Sequence, residues 1–278
     1  MIIAFVAINF MATGILVFLI IDENKYVPIQ YQVYASDEQV ARYAYHFDYE
    51  TEEMITEEPE FELIDPGVYP DGYSWLIHKV DDGSQGKEYR TYRSVLSDDD
   101  SVLSVTYVPN SLEVKEVEPI LYSYGSPVEV GAYFYSDFTT CYGVNCVGCY
   151  MDENGIGGTS AGIKLTTSSV RQSDGTWQTG ITYDGYYIIA TDQSIPLCTV
   201  VEISSHGFSG HGLSYGEPFL AIVLDRGGAI TGNDIDLYTG DETNSGMTNS
   251  KRSGVRVEIV EFGTWTTNSL GEKMCLVN

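Results

Sequence analysis

A long apolar stretch without charged side chains opens the chain. Residues 2–21 read IIAFVAINFMATGILVFLII, and a helix of that length spans about 30 Å, the hydrocarbon thickness of a bilayer. The pattern predicts a transmembrane helix within residues 1–24. We interpret it as an uncleaved anchor, with a cleaved signal peptide as the alternative, because no small-residue cleavage site precedes Asp22. A spacer is predicted over residues 25–42.

After the spacer, the apolar positions form short runs that are typical of strands. The turn-forming segment DDGSQGK separates the first two runs, and no long amphipathic helix is indicated. Residues 43–126 are therefore predicted to form a small β-rich module, with runs at residues 73–80, 88–97, 101–108 and 118–126.

Residues 127–278 continue in strand-like runs, joined by segments rich in glycine, serine and asparagine. Six or more short strands with turn-rich connections predict a closed barrel or a sandwich. The clearest runs are GYYIIATD, TVVEIS, EPFLAIVLD, NDIDLY and GVRVEIVEFG.

One of these runs, FLAIVLD, ends in an aspartate and precedes a glycine pair. Its apolar residues occupy both faces, so the strand is predicted to be buried on both sides, with Asp225 on the side of Ala221 and Val223. Gly227 and Gly228 then predict a sharp turn with φ values that side chains disfavour.

Two further aspartates complete a candidate site. In NDIDLY, Asp234, Asp236 and Tyr238 share one face, while the isoleucine and leucine between them face the core. Asp192 ends the run GYYIIATD, and Asp234 is interpreted as a turn residue. Carboxylates crowded in a partly apolar cleft raise one pKa, which leaves the protonated acid that glycosidic cleavage needs. A turn role for each aspartate and a calcium site are the alternatives.

Composition narrows the range of partners. Hydrophobic residues make up 43% of the chain, enough for a packed core, and the formal net charge is −26. Such a charge disfavours nucleic acid and favours a neutral or mixed-charge ligand. No cofactor and no metal are predicted, because His206 and His211 are only two weak ligands in a glycine-rich loop. Trp177 is the best of three tryptophans for stacking on a sugar.

The five cysteines are Cys141, Cys146, Cys149, Cys198 and Cys275. They lack the four-ligand spacing of a structural zinc site. Disulfide pairing in an exported domain, with one thiol left over, is predicted, and free thiols in a reducing compartment are the alternative.

The first module resembles a G5 domain. The closing strand EPILYSYGS and the turn that contains Gly83, Gly86, Tyr89 and Tyr92 carry the likeness. G5 domains are small β-rich modules of bacterial surface proteins, so the resemblance implies a role in wall adhesion or as a spacer.

The second module resembles the 3D domain, which is named for three aspartates. The pattern A-x-D-x-x-I-P-L-x-T at residues 190–199 is followed by A-x-x-x-D-x-G-G-A-I-x-G-x-x-x-D-x-Y at residues 221–238. The upstream GGTSAG at residues 157–162 fits the family's Thr-x-x-Gly stretch. The likeness implies a six-stranded double-psi β-barrel similar to the catalytic barrel of membrane-bound lytic transglycosylase A, within residues 127–278.

That likeness also implies an activity. It is cleavage of the β-1,4 bond between N-acetylmuramic acid and N-acetylglucosamine in peptidoglycan, with a 1,6-anhydro product. Asp236 is implied as the general acid and then the base, and Asp192 and Asp225 as supporting catalytic residues. The residues implied in substrate binding are Thr159, Gly227, Gly228, Ala229 and Tyr238.

The sequence thus predicts an all-β, membrane-anchored protein of the extracytoplasmic face or cell wall, and the order of a G5-like module before a 3D domain resembles the architecture of Gram-positive wall-remodelling proteins. A non-catalytic glycan-binding protein and a metal-dependent adhesion protein are the alternative functions. Two positions depart from the family. Arg226 replaces the usual threonine, and its charge would lower neighbouring aspartate pKa values unless it points away. Cys198 replaces the usual glycine and is expected to pair with the upstream cysteine cluster.

Overall fold

A computed structural model of the chain describes residues 3–6, 17–20, 31–34, 40–43 and 45–277. The chain divides into two compact units. The first comprises Met1–Pro59 and Ser84–Glu118, and the second comprises Glu60–Gly83 and Pro119–Asn278.

Every regular element among the described residues is a strand. In chain order the strands are β1 (Ile3–Val6), β2 (Val17–Ile20), β3 (Tyr31–Tyr34), β4 (Val40–Tyr43), β5 (Tyr45–Glu57), β6 (Phe61–Ile64), β7 (Ile77–Asp81), β8 (Gly86–Ser97), β9 (Val102–Tyr107), β10 (Glu113–Lys115), β11 (Ile120–Tyr124), β12 (Tyr133–Tyr135), β13 (Thr139–Tyr142), β14 (Gly157–Gly158), β15 (Lys164–Leu165), β16 (Ser169–Arg171), β17 (Trp177–Thr179), β18 (Thr182–Tyr183), β19 (Tyr186–Thr191), β20 (Thr199–Ser204), β21 (Phe208–Ser209), β22 (Phe219–Asp225), β23 (Ile235–Tyr238), β24 (Thr248–Asn249), β25 (Arg256–Phe262), β26 (Thr264–Thr267) and β27 (Lys273–Leu276).

The predicted N-terminal transmembrane helix is wrong where the structure describes that segment. Strand β1 pairs antiparallel with β2, with Ile3 opposite Ile20. Their sequences, IAFV and VFLI, are rich in the β-branched and aromatic residues that suit strands, and apolar length alone does not separate the two structures. None of the described residues belongs to a helix that could cross a membrane. The rest of residues 1–24, and most of the 25–42 spacer, lie outside the described residues.

The first unit is built around the long strand β8. Strand β5 pairs antiparallel along one edge of β8, from Tyr45 opposite Ser97 to Glu57 opposite Gly86. Strands β9 and β10 share the other edge. Every residue of β9 and β10 is exposed. Within residues 45–59 and 84–118, this unit is therefore a thin sheet with little enclosed core.

The second unit contains a closed ring of strands. Its main sheet runs in the order β13-β23-β19-β22-β20-β25-β12, and β12 and β13 are consecutive pieces of one chain segment. Between them, Ser136 N–H donates to the Val255 carbonyl on one side, and Ile235 N–H donates to the Phe138 carbonyl on the other. The path thus returns to its start and forms a closed barrel of six strands, in which β12 and β13 count as one.

The barrel strands contribute to two apolar clusters. One fills the inside of the barrel, and the other covers part of its outside. The interior cluster includes Ile189, Val223 and Leu237. The outer cluster joins Ile188 and Leu224 of the barrel to side chains from the segment that contains β14–β18. Alternate residues of each barrel strand therefore face the interior cluster and the outer cluster in turn, as strand geometry requires.

The main sheet extends beyond the barrel, so the predicted six-stranded barrel is only part of a larger sheet. Strand β12 also pairs with β7, β7 pairs with β11, and β11 pairs in parallel with β6. With β18, the sheet has eleven strands. The cause is that β12 offers a second edge, and hydrogen-bonding groups on an edge favour an additional strand.

Candidate active site

The three predicted aspartates lie at one end of the barrel. Strands β19 and β22 are parallel, so Asp225 at the end of β22 and Asp192 just after β19 lie at the same edge of the sheet. Strand β23 runs antiparallel to β19, so its first residues, with Asp236, return to that edge. The topology therefore brings together residues that are separated by up to a sixth of the chain.

Asp225 and Asp236 belong to one row across the sheet. Ala190 pairs with Asp236 on one side and with Asp225 on the other, and Thr140 continues the row beyond Asp236. Two inter-strand spacings separate the two aspartate Cα atoms, about 10 Å. Only the methyl group of Ala190 stands between the two carboxylates in this row.

A β-bulge sets the direction of Asp225. The pairing of β19 with β22 shifts after Val223, so that Leu224 has no partner before Asp225. The hydrogen bonds of Asp225 reach Tyr142 and Ser160, on the side of the outer cluster. The prediction that Asp225 shares a face with Val223 is therefore wrong, because a bulge reverses the alternation.

Asp236 has the environment expected of a proton donor. Its side chain is partly buried, and its Oδ1 atom is buried without a hydrogen-bond partner. Burial raises the pKa of Asp236 to about 6; a hydrogen bond from Thr140 opposes the shift, while the charges of Glu242 and Asp225 add to it. The prediction that Asp236 lies on the face opposite Ile235 and Leu237 is confirmed, because these two residues lie in the interior cluster.

Asp225, in contrast, is held by four hydrogen bonds. Its Oδ2 accepts from the Tyr142 hydroxyl at 2.9 Å. Its Oδ1 accepts from the Ser160 N–H and hydroxyl, each at 2.9 Å, and from the Arg226 N–H at 2.8 Å. Burial, followed by the Asp225 charge, raises the pKa of Tyr142 well above its ordinary value, so this phenol remains a donor. Asp225 is thus a fixed acceptor beside the candidate acid.

Asp192 organises the loops at this end of the barrel. Its Oδ1 accepts from the Ser194 N–H at 2.8 Å, and its Oδ2 accepts from the Gly232 N–H at 3.0 Å. Burial raises the pKa of Asp192, but the hydrogen bonds from Ser194 and Gly232 and the charge of Arg226 outweigh it, so the net shift is downward. Asp192 therefore ties the loop after β19 to the loop before β23.

Arg226 points away from Asp236. Its guanidinium donates to the Thr191 hydroxyl at 3.0 Å, to the Asp225 carbonyl at 3.1 Å and to the Ile195 carbonyl. The charges that shift the pKa of Asp236 come from Glu242 and Asp225. Arg226 thus supports the Asp192 loop without opposing the candidate acid.

The glycine pair does not have the backbone that was predicted. Neither Gly227 nor Gly228 has a positive φ; in this loop Gly232 does, at 61°. A Cβ at Gly227 would stand 2.6 Å from Cγ1 of Ile230, whereas one at Gly228 would meet nothing within 4 Å. Gly227 is therefore required for space, and Gly228 and Ala229 form an exposed turn.

The two other predicted substrate-binding residues have structural partners. The Tyr238 side chain is fully buried, and its hydroxyl donates to the Thr166 carbonyl at 2.5 Å. Thr159 is also buried, and its hydroxyl accepts from the Ile163 N–H at 3.2 Å. Thr159 thus shapes the turn that presents Ser160 to Asp225.

Sequence reasoning missed Tyr142, Ser160 and Thr140. Thr140 and Tyr142 alternate with Cys141 in β13, and this period of two was the signal that they share the face of Asp236. Ser160 lies next to Thr159 in the GGTSAG stretch. Its main-chain and side-chain contacts with Asp225 span 65 residues, which no local pattern reveals.

Two disulfides stabilise the second unit. Cys146 pairs with Cys149, and Cys198 pairs with Cys275, while Cys141 remains a thiol. The prediction of disulfides with one thiol left over is confirmed. The expected pairing of Cys198 with the upstream cluster is wrong, because β26 and β27 bring Cys275 to the outer core beside it.

The two histidines that were considered as metal ligands, His206 and His211, have hydrogen-bond partners within the protein. His206 is buried, accepts from the Phe208 N–H through Nδ1 and contacts the Glu217 carbonyl through Nε2. His211 contacts the Ser245 carbonyl. Among the described residues, no three His, Cys, Asp or Glu side chains are grouped so that they could hold a metal ion.

Comparisons with solved structures found two similar chains. Two solved G5 structures are similar to part of the chain, each at 18% identity. The G5 region of HP0197 has a TM-score of 0.19 and covers 29% of this chain and 97% of its own. The G5 domain of IgA1 protease has a TM-score of 0.21 and covers 30% of this chain and 92% of its own. No curated protein matches the sequence.

The family comparison concerns the segment that holds the aspartates. Residues 187–260 match the model described as the 3D domain, a family associated with lytic-transglycosylase-like cell-wall enzymes. The matched residues include Asp192, Asp225 and Asp236, whereas Tyr142 and Ser160 lie outside them. The resemblance to the 3D domain is therefore confirmed for residues 187–260.

Proposed function

We propose that this protein is a peptidoglycan lytic transglycosylase of the bacterial cell wall. The observation that carries the proposal is Asp236, a partly buried carboxyl group with a pKa raised to about 6 and a buried oxygen without a partner. A carboxylic acid that keeps its proton near neutral pH is what glycosidic cleavage requires. The 3D domain match over residues 187–260 supports the same chemistry.

In the proposed reaction, Asp236 donates its proton to the glycosidic oxygen as the bond from that oxygen to C1 of the muramyl residue breaks. The resulting carboxylate then takes the proton of the muramyl C6 hydroxyl, whose oxygen bonds to C1 and closes the 1,6-anhydro ring. Asp236 thus regains its proton, and no water is consumed. A single carboxyl group serves as acid and base.

Asp225 serves in this reaction as a fixed acceptor. It is oriented by Tyr142 and Ser160 and lies about 10 Å from Asp236 between Cα atoms. We propose that it accepts hydrogen bonds from the sugar and that its charge helps to keep Asp236 protonated. Asp192 maintains the loop geometry through Ser194 and Gly232.

Release of soluble fragments from purified sacculi tests the proposal. Asp236→Asn should lower the release rate by about a hundredfold to ten-thousandfold, the contribution typical of a general acid. Asp234→Asn is the matched control, because this neighbouring aspartate precedes the strand and should leave the rate unchanged. Equal rates for Asp236→Asn and the wild-type chain would refute the proposed role.

A further inference from the structure

A group of cationic and aromatic side chains lies outside the 3D domain match. Glu272 binds Lys164 at 2.8 Å and Arg171 at 2.9 Å. Around these ion pairs, two tryptophans each carry a cation over the ring: Arg171 lies 5.7 Å from the Trp177 centroid, and Lys273 lies 5.0 Å from the Trp265 centroid. We call this group the Trp265–Trp177 surface; its members are Lys164, Arg171, Trp177, Trp265, Glu272 and Lys273.

This surface is linked directly to the candidate site. The Trp265 indole N–H donates to the Ala161 carbonyl at 2.8 Å. The preceding residue, Ser160, donates twice to Asp225, and the Ala161 N–H donates to the Leu224 carbonyl at 2.8 Å. One short turn therefore fixes Trp265 on one side and Asp225 on the other.

Both tryptophans are available to a ligand. Trp265 is 49% exposed and Trp177 is 40% exposed, although large aromatic side chains favour burial. The hydrogen bond to Ala161 holds the Trp265 ring in one orientation, which lowers the entropy cost of binding. Lys273 lies over one face of the Trp265 ring, and the exposed remainder of this rigid indole offers an apolar surface to the C–H groups of a pyranose.

The charge of the surface is unusual for this chain. Three of its 14 lysine and arginine residues gather here, although the formal net charge of the chain is −26. Two acidic groups that interact with these cations are Glu272 and Asp174; hydrogen bonds from Thr176 chiefly lower the pKa of Asp174, and the charge of Arg171 adds to that shift. The hydrogen bonds from Lys164 and then Arg171 lower the pKa of Glu272 to about 2. Glu272 engages Lys164 and Arg171, so Lys273 is the cation of this group that is placed to attract a ligand carboxylate.

We propose that the Trp265–Trp177 surface is a glycan-binding subsite that extends the candidate site on the Asp225 side. A sugar ring packs against Trp265, and Lys273 contacts a carboxylate of the peptide stem, so the preferred ligand is a glycan strand with acidic stems. This proposal deepens the proposed function and rests on it for the identity of the ligand.

Co-sedimentation with insoluble sacculi tests this subsite. The full chain carrying Asp236→Asn is the parent, so that binding is measured without cleavage. Adding Trp265→Ala should weaken binding about fivefold to tenfold, whereas Trp265→Phe should retain most of it because a ring remains. Tyr215→Ala, which removes a 67% exposed ring from the loop before β22, is the matched control and should bind like the parent.

Chemical amidation of the stem carboxylates tests the Lys273 contact. Lys273→Gln should weaken binding to untreated sacculi about threefold to tenfold, and amidation should remove this difference. The subsite is refuted if Trp265→Ala and Lys273→Gln bind as tightly as the parent, or if the parent does not bind sacculi. If the wild-type chain binds through Trp265 and releases no fragments, the subsite stands and the proposed activity fails.

Discussion

Asp236 and Asp225 flank the same residue, Ala190, on opposite neighbouring strands. The two carboxyl groups therefore belong to one row of the sheet, with a single methyl group between them. Their environments differ, because Asp225 receives four hydrogen bonds and Asp236 keeps one oxygen without a partner. This difference favours Asp225 as the fixed acceptor and Asp236 as the proton donor of the proposed reaction.

The raised pKa of Asp236 predicts how stability changes with pH. The pKa of Asp236 is about 6 in the folded chain, against an ordinary value of 3.8. Between these pH values the folded chain binds more protons than the unfolded chain, so the free energy of unfolding falls as pH rises through this window. Asp236→Asn should therefore stabilise the chain above pH 6, by at most about 3 kcal/mol.

Urea unfolding of both chains across this pH range measures that effect. The difference in free energy of unfolding between wild type and Asp236→Asn should shrink toward zero near pH 4. At that pH the Asp236 side chain of the folded chain is neutral, as asparagine is. Asp234→Asn should show no such pH-dependent gain. A constant difference at every pH would mean that Asp236 is not the titrating group.

Arg226→Thr restores the residue that is usual in the 3D domain. The change removes hydrogen bonds to Thr191, Ile195 and the Asp225 carbonyl, so the free energy of unfolding should fall by about 1–3 kcal/mol. The alkaline limb of the pH–rate profile should stay near pH 6, because the guanidinium points away from Asp236. Denaturant unfolding and initial rates measure the two effects, and an upward shift of that limb by a full pH unit would contradict the described orientation.

The two disulfides should differ in their contribution to stability. Cys198 and Cys275 are 77 residues apart, whereas Cys146 and Cys149 are three apart. Because loop-closure entropy grows with loop length, removing the long-range disulfide by Cys198→Ala with Cys275→Ala should cost about 4 kcal/mol, and removing the short one about 2 kcal/mol.

Thermal unfolding of the two double variants checks this order. Reductant should destabilise the wild-type chain to the level of a chain that lacks all four cysteines. A larger loss from the Cys146 and Cys149 pair than from the Cys198 and Cys275 pair would contradict the described pairing.

Sequence patterns predicted the site where local periodicity controls the structure. The alternation in NDIDLY placed Asp236 opposite the core-facing Ile235 and Leu237, as observed. The same reasoning failed for Asp225, because a bulge at Leu224 is set by pairing with β19. The partner of Cys198 was also missed, since the β26–β27 hairpin brings Cys275 beside it from 77 residues away.

Longer-range features of the fold were harder to predict. Apolar length suggested a helix over residues 2–21, but β1 and β2 pair as strands. The extension of the main sheet through β7, β11 and β6 depends on the open edge of β12, which no sequence period encodes. The predicted domain boundaries, site roles and localisation stay predictions.

The identity of the new chain end in the released fragments tests the central claim most directly. Mass spectrometry of fragments released from purified sacculi at pH 5 should show 1,6-anhydromuramyl ends for the wild-type chain and none for Asp236→Asn. Fragments with ordinary reducing ends would mean that water, not the C6 hydroxyl, attacks C1. That result, or the absence of any released fragments from the wild-type chain, would contradict the proposed transglycosylase.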